Sequence, residues 1–342
     1  MEICVIDDGS SQIKLKRASD GTVIKIPSIV ENRAVYSSEG VSSTTYRVED
    51  KDYTVLTVSD QPERTDKGNY QLSDLNRVLV HEALRKGGLG GKDVVLGVTL
   101  PIEQYFERGE SKPNKVRIEA KKANLMGPIE NRAGEPIAHI REVYVFPEAI
   151  PAAIDVMTDI KDGQLVYKPE FHENKRVCVV DVGGHTIDIA VFESLTANVI
   201  QKEGFDGGVI RLVDSLQSKL MALLGESQPI ERSIAEKAMI NGHYAGHDLT
   251  ATIRQIAAPL AEKVRQNLDR LASKRTTDLF ICVGGGAQLV KEAVQDYAGT
   301  EKTLVPNAPD EAIARGVSKM LMSRLARNTT QETKTKAKKT EA

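Results

Sequence analysis

Two kinds of apolar pattern alternate along the chain. Short runs of consecutive or alternating apolar residues predict strands at 3–6, 13–16, 22–26, 94–100, 143–146, 177–181, 187–193 and 279–283. Between them, apolar residues return every three or four positions and predict helices. The first helix covers 74–86: Ser73 can cap it, Leu75, Val78, Leu79 and Ala83 share one face, and Gly87-Gly88 ends it. A second covers about 207–224, with Val209, Leu212, Val213, Leu216, Leu220 and Leu223 on one stripe. The longest covers about 248–273 and repeats Leu249, Ile253, Ile256, Leu260, Val264, Leu268 and Leu271, a stripe that predicts core packing. The last covers about 310–326; Asp310 can cap it, and Ile313, Val317, Met320, Leu321 and Leu325 make its apolar face. This alternation predicts an α/β architecture.

Length and composition narrow the class. A chain of 342 residues is long enough for two domains. Its 46 basic and 48 acidic residues leave a net charge of −2. That excludes a protein whose main task is neutralising DNA phosphates, and no direct sequence-specific DNA binding is expected. No run of about 18 apolar residues occurs, so no membrane span is expected. The start, Met1-Glu2-Ile3-Cys4-Val5-Ile6-Asp7, is a strand that meets an acidic residue at once and lacks the features of a signal peptide. Cys4, Cys178 and Cys282 lie far apart in apolar runs, which predicts reduced core thiols in a cytoplasmic protein. Without a CxxC pair, no structural zinc site is expected.

Polar, interrupted sequence from about 30 to 70 suggests a small peripheral subdomain. Residues 327–342 hold threonine, glutamate, glutamine and lysine with no large apolar residue after Leu325, and predict a disordered tail. Its Lys334, Lys336, Lys338 and Lys339 suit a solvated tail, with contact to a partner or nucleic acid as the alternative. The expected organisation is a first domain over 1–170, a second over 171–309, and a helix over 310–326 that packs back on the first.

The most informative feature is a motif that occurs twice. Residues 3–15 (ICVIDDGSSQIKL) and 177–189 (VCVVDVGGHTIDI) align without a gap, with Asp7 and Asp181 offset by 174 positions. Each copy is an apolar strand, an aspartate, one residue, a glycine, a short polar turn and a second strand. Gly9 and Gly183 let the backbone turn tightly and approach a ligand. The turn amides and the hydroxyls of Ser10, Ser11 and Thr186 suit phosphate oxygens. Asp7 and Asp181 would repel a triphosphate, and make sense if a Mg²⁺ with its waters intervenes. One copy would be read as an ordinary hairpin; two matched copies point to two similar domains, each offering a phosphate turn. A third glycine turn, Gly284-Gly285-Gly286, follows the strand Leu279–Val283 and opens a helix carrying Leu289, Val290 and Ala293. It suits the adenosine side of the same site.

Two motifs are dismissed. Gly87-Gly88-Leu89-Gly90-Gly91-Lys92-Asp93 lacks the Gly-x4-Gly-Lys-Ser/Thr spacing and is expected to be a helix stop and turn. His243 and His247 lie four apart, but Gly242, Gly246 and the missing glutamate argue for a loop and against a metal-binding helix.

Asp7-x-Gly, Asp181-x-Gly-x-x-Thr and Val283-Gly-Gly-Gly resemble the phosphate-1, phosphate-2 and adenosine motifs of the actin, Hsp70 and sugar-kinase superfamily. Ile6-Asp7-Asp8-Gly9-Ser10, Pro101–Arg108, Glu119-Ala120-Lys121-Lys122-Ala123-Asn124 and Phe146-Pro147-Glu148-Ala149-Ile150-Pro151 are similar to the plasmid-segregation actin-like ATPases of the ParM (StbA) family. The resemblance runs from residue 1 to about 325 and is weakest over 205–250. It implies an actin-like ATPase fold with two similar RNase H-like lobes, peripheral subdomains and a central nucleotide cleft. It also implies ATP or ADP with Mg²⁺ as ligands, and polymerisation with ATP into filaments that hydrolysis destabilises. The implied partners are further copies of the chain and a ParR-type adaptor on centromere-like plasmid DNA, with no membrane partner.

Residue roles follow from the resemblance by position. Asp7 and Asp181 match the Mg²⁺-associated aspartates, and Asp181 also enters the catalytic set. Gly9, Ser10, Ser11, Lys14, Gly183, Gly184, His185 and Thr186 match the phosphate turns, and Gly284, Gly285 and Gly286 the adenosine turn. His185 stands where relatives often carry Gly or Thr. Glu148 matches the glutamate that orients the attacking water; its other reading is a surface residue capping the helix after Pro147. Glu236 and Lys237 resemble a helix that contacts ribose or adenine, while an i,i+4 solvated face accounts for Arg232 and Glu236 equally well. Two rival functions stay open: a small-molecule kinase of the same superfamily, for which no substrate carboxylate stands out, and a chaperone-like nucleotide-gated binding module.

Overall fold

The computed structural model describes residues 1–38, 40–59, 61–66, 69–172, 175–193, 198–228 and 230–340. Contacts divide the chain into two compact units, one of Met1–Asn174 with Glu311–Ala342, the other of Lys175–Ser194 with Val199–Asp310.

The first unit is built on a five-stranded sheet ordered His139–Pro147, Asp93–Leu100, Glu2–Asp8, Gln12–Arg17, Val23–Pro27. The first three strands are parallel and the last three form an antiparallel meander. Alternate residues of a strand face opposite sides, so both faces need cover. Cys4, Ile6, Ile13, Leu15, Leu96 and Val98 join Val78, Leu79 and Leu84 of helix Asp74–Lys86 in one apolar cluster. Val5 and Gly97 face the other side, where a Cβ on Gly97 would lie within 3.2 Å of Val5, Val317 and Leu321. That face is covered by the helix Ala312–Thr340, which also packs on helix Ile150–Met157. Gly316 makes the second contact possible, since a Cβ there would stand 1.7 Å from Pro151 O. A small antiparallel sheet, ordered Glu130–Asn131, Thr45–Val48, Lys51–Leu56, Ile29–Glu31, forms from the polar stretch after residue 28 and one later strand.

The second unit repeats the plan. Its sheet is ordered Asn198–Asp206, Thr186–Glu193, Arg176–Val182, Leu279–Val283, Thr303–Leu304. Helix Thr250–Leu271 buries Leu260, Val264 and Leu268 against this sheet, together with Val290, Val294 and Tyr297 of helix Ala287–Ala298. Helices Val209–Leu224 and Arg232–Asn241 close a second cluster around Leu216, Leu220 and Met239.

Each predicted strand and helix has a counterpart. The tail is a correction: the C-terminal helix runs on to Thr340 where disorder was expected from 327. Gln, Glu, Lys and Ala are good helix formers, and no Gly or Pro follows Gly316 to stop the helix. Its other end also differs, since Pro309–Glu311 forms a 3-10 turn and the α-helix starts at Ala312. His243 and His247 sit on a two-stranded hairpin rather than an open loop, because Ala245 and Gly246 both adopt positive φ, as a two-residue hairpin turn needs. Ser73 caps its helix through Asn76 N, and all three cysteines are buried and free. Among the described residues no helix is long and apolar enough to cross a membrane.

Candidate functional site

In the first unit, Gly9, Ser10 and Ser11 close the hairpin between strands Glu2–Asp8 and Gln12–Arg17. Asp7 is opposite Lys14, whose ammonium donates to Asp7 Oδ2 at 2.9 Å. The turn carbonyls are held by donors outside the hairpin. Ser28 Oγ donates to Gly9 O at 2.8 Å, Thr65 Oγ1 to Ser10 O at 2.6 Å, and the Ser28 amide to Ser11 O at 3.0 Å. A turn whose carbonyls are engaged in this way offers amides and hydroxyls to an anion.

Glu148 belongs to the same sheet edge. Strands Glu2–Asp8, Asp93–Leu100 and His139–Pro147 run parallel, and the Glu148 amide donates to Leu100 O at 2.9 Å. Open α/β sheets bind ligands at the carboxyl ends of their strands. Past Glu148 the backbone turns sharply. Ala149 has φ +69° and ψ −52°, and the Ile150 amide donates to Glu148 O at 2.9 Å. This is a γ-turn in its strained positive-φ form, at a residue with no exposed surface. Ala149, not Glu148, occupies the N-cap position of helix Ile150–Met157, and Glu148 is half-buried.

Two residues without an assigned role stand behind this edge. Asp8 and Lys121 are both fully buried and form an ion pair. Asp8 also accepts from Asn76 Nδ2 at 2.8 Å and from Thr99 Oγ1 at 3.2 Å. Burial pulls the Lys121 ammonium below its ordinary value, while Asp8 and Glu148 act in the opposite direction. The visible signal for Asp8 was a second acid at the end of an apolar strand.

In the second unit, strand Arg176–Val182 turns at Gly183, Gly184 and His185 into strand Thr186–Glu193. Here the carbonyls are held by the approach to helix Val209–Leu224: the Val209 amide donates to Gly183 O at 3.1 Å, Ile210 to Gly184 O at 3.0 Å and Gly207 to His185 O at 3.1 Å. Gly208 allows it, because a Cβ there would lie 2.1 Å from Gly184 O. Asp181 is opposite Asp188, where the first hairpin has Asp7 opposite Lys14. Thr186 Oγ1 donates to Asp188 Oδ2 at 3.2 Å, so its hydroxyl proton is directed to a carboxylate. Asp188 stands in the second repeat where Lys14 stands in the first, so the aligned sequences carry the signal for it.

The glycine triplet splits by role. Gly284 has φ +83° and lies against Asp181, and a Cβ on Gly286 would meet Val182 Cγ1 at 2.3 Å. Gly285 alone has open space there. Asp181 and Val283 are paired across parallel strands, which sets the triplet beside the Gly183–His185 turn. Glu236 and Lys237 are exposed on helix Arg232–Asn241. Glu236 lies 3.6 Å from Arg232 in an i,i+4 pair, and partial desolvation raises its carboxyl while Arg232 lowers it. Lys237 lines a cavity of about 350 Å³ with Ile234, Asn241, His243 and Tyr244. The structure thus groups Asp7, Gly9–Ser11, Lys14 and Glu148 in one unit, and Asp181, Gly183–Thr186 and Gly284–Gly286 in the other.

The two units, each with its Asp-x-Gly hairpin, have the actin-like fold. Solved structures share the fold over nearly the whole chain. An archaeal actin homologue, Ta0583, in complex with ADP is 17% identical, with TM-score 0.70 over 94% of this chain and 99% of that one. The actin-like protein Alp7A is 14% identical, with TM-score 0.74 over 97% and 99%. A 15-stranded ParM filament from Clostridium botulinum is 17% identical, with TM-score 0.64 over 93% and 98%. More particularly, residues 1–159 match the N-terminal family of the plasmid segregation protein ParM, and residues 179–296 match the C-terminal family of the archaeal MreB-like actin homologue. The chain thus has the actin-like fold, with residues 1–159 similar to the ParM N-terminal family and residues 179–296 similar to the MreB-like C-terminal family. No curated protein matches it in sequence.

Proposed function

We propose that the chain binds ATP through its two phosphate hairpins, hydrolyses it to ADP and phosphate, and assembles with ATP into filaments that segregate plasmids. A ParR-type adaptor on centromere-like plasmid DNA would hold the filament ends. The observation that carries this reading is the repeated hairpin, each copy with its turn carbonyls engaged by donors from outside the turn. The ParM-type match over residues 1–159 and the filament formed by the Clostridium botulinum ParM support it.

In this reading the Gly9–Ser11 turn and the amides of Gly184 and His185 donate to phosphate oxygens, and Gly284–Gly286 approach the adenosine. Glu148 orients the attacking water. The donor set fits a hydrated Mg²⁺ better than a protein-caged ion. Among the described residues no three His, Cys, Asp or Glu gather into a metal-binding group, and Mg²⁺ usually keeps several waters beside one or two carboxylates. Asp7 already has Lys14 as counter-charge, whereas Asp181 is opposite another acid. Asp7 and Asp181 are the carboxylates at the two turns, and Mg²⁺ held at either would neutralise charge on the phosphates.

The test is phosphate release measured beside pelleting. Both should require ATP and Mg²⁺ and stay low with EDTA or without nucleotide; equal pelleting without nucleotide would sink the proposal. Glu148→Ala should bind ATP nearly as well as the parent and release phosphate on the order of 10²-fold more slowly, as for loss of a positioned proton acceptor.

A further inference from the structure

The Asp8–Lys121 pair is fully buried on both sides. Lysine and aspartate are almost never fully buried unless paired, and a buried pair often contributes less than well-packed apolar residues would. The chain contains its own control. In the aligned repeat the position of Asp8 is occupied by Val182, equally buried and apolar. The same strand and turn therefore form without a charge at this point. The charge occurs in the unit that also carries Glu148.

The pair ties together the elements that carry the candidate site. The Lys121 ammonium has three donors and meets three acceptors: Asp8 Oδ2, Gln71 Oε1 and Asn76 Oδ1. Gln71 Nε2 returns a bond to Asp8 O at 3.2 Å, and Asn76 Nδ2 returns one to Asp8 Oδ2 at 2.8 Å. Thr99 contributes both its amide, at 3.4 Å, and its hydroxyl, at 3.2 Å, to Asp8 Oδ1. Asp8 directly precedes the turn at Gly9. Thr99 pairs with Phe146 and precedes Leu100, whose carbonyl holds the Glu148 amide. One buried network thus reaches the backbone on both sides of the reaction: the phosphate turn and the strand end bearing Glu148.

We propose that Lys121 is a positioning residue, which through Asp8 holds the Gly9–Ser11 turn and the Glu148 strand end in one fixed register. This rests on the reading of the chain as an ATPase. Displacement of a reacting group by about 1 Å costs up to 10²-fold in rate, so a loosened network should act on turnover before it acts on folding.

The obvious variant, Lys121→Met, leaves Asp8 buried without a counter-charge and invites unfolding. The test therefore uses Asp8→Asn/Lys121→Gln, which removes both charges and keeps amides to serve Asn76, Gln71 and Thr99. Thermal melting, ATP affinity by equilibrium titration and phosphate release are measured on the full chain beside the parent. A melting temperature within a few degrees, ATP affinity within about threefold and a kcat lowered tenfold or more is the expected result. Parent-like kcat in the folded double variant overturns the proposal. Failure of both variants to fold overturns it too, since the pair is then a structural requirement. An inactive parent chain instead refutes the ATPase reading, which keeps the two failures apart.

Discussion

Asp181 Oδ1 lies only 2.4 Å from where a β-carbon on Gly284 would be, and Gly284 adopts φ +83°. Two independent constraints therefore require glycine at this position, the left-handed backbone and the carboxylate packed against it. Gly284→Ala should lower stability by about 1–2 kcal/mol from the backbone term alone, and should also displace the Asp181 carboxylate. Gly285→Ala, with open space at its β-carbon, serves as the comparison. Thermal melts and ATP titrations of the two variants would check this; an unchanged melt and affinity for Gly284→Ala would refute it.

A different outcome is expected at Ala149, where the γ-turn stores strain beside Glu148. Strain of this kind costs on the order of 1–3 kcal/mol and persists where the surroundings enforce it. The helix that follows is itself held, by the close approach of Gly316 to Pro151 and by the ion pair of Arg315 with Asp155 at 2.7 Å. Ala149→Gly relieves the strain, since glycine accepts positive φ. The variant should melt at or above the parent temperature, yet release phosphate several-fold more slowly because Glu148 is held less firmly. Stability and activity falling together would contradict the account.

His81 should contribute to acid sensitivity. Its ring is buried, Nε2 lies 3.3 Å from Leu125 O, and Nδ1 has no partner among the described residues. Burial lowers its pKa from 6.5 to about 4. The folded state therefore keeps His81 neutral where the unfolded chain takes up a proton. Stability from this group is complete above the unfolded pKa and is lost as pH falls from about 6.5 towards 4, up to about 3 kcal/mol. Denaturant unfolding between these limits should show the loss, and His81→Gln should flatten it. Identical slopes for parent and variant would remove His81 as the cause.

The sequence by itself determined the strands, the main helices and the repeated hairpin, because apolar periodicity and glycine-bearing turns are local signals. Asp7, Asp181 and the three glycine turns were legible for the same reason, since each lies at the end of an apolar strand. The tertiary structure decided which neighbours those residues meet. Lys121 is more than a hundred positions from Asp8, and no local pattern marks a helical lysine as buried. Gly208 and Gly316 became necessary only once Gly184 O and Pro151 O packed against them. The helix that follows Ala149 likewise packs on the helix Ala312–Thr340, from the far end of the chain. Local physics chose the elements, and close packing between distant segments fixed the charges, carbonyls and strained bonds around the candidate site.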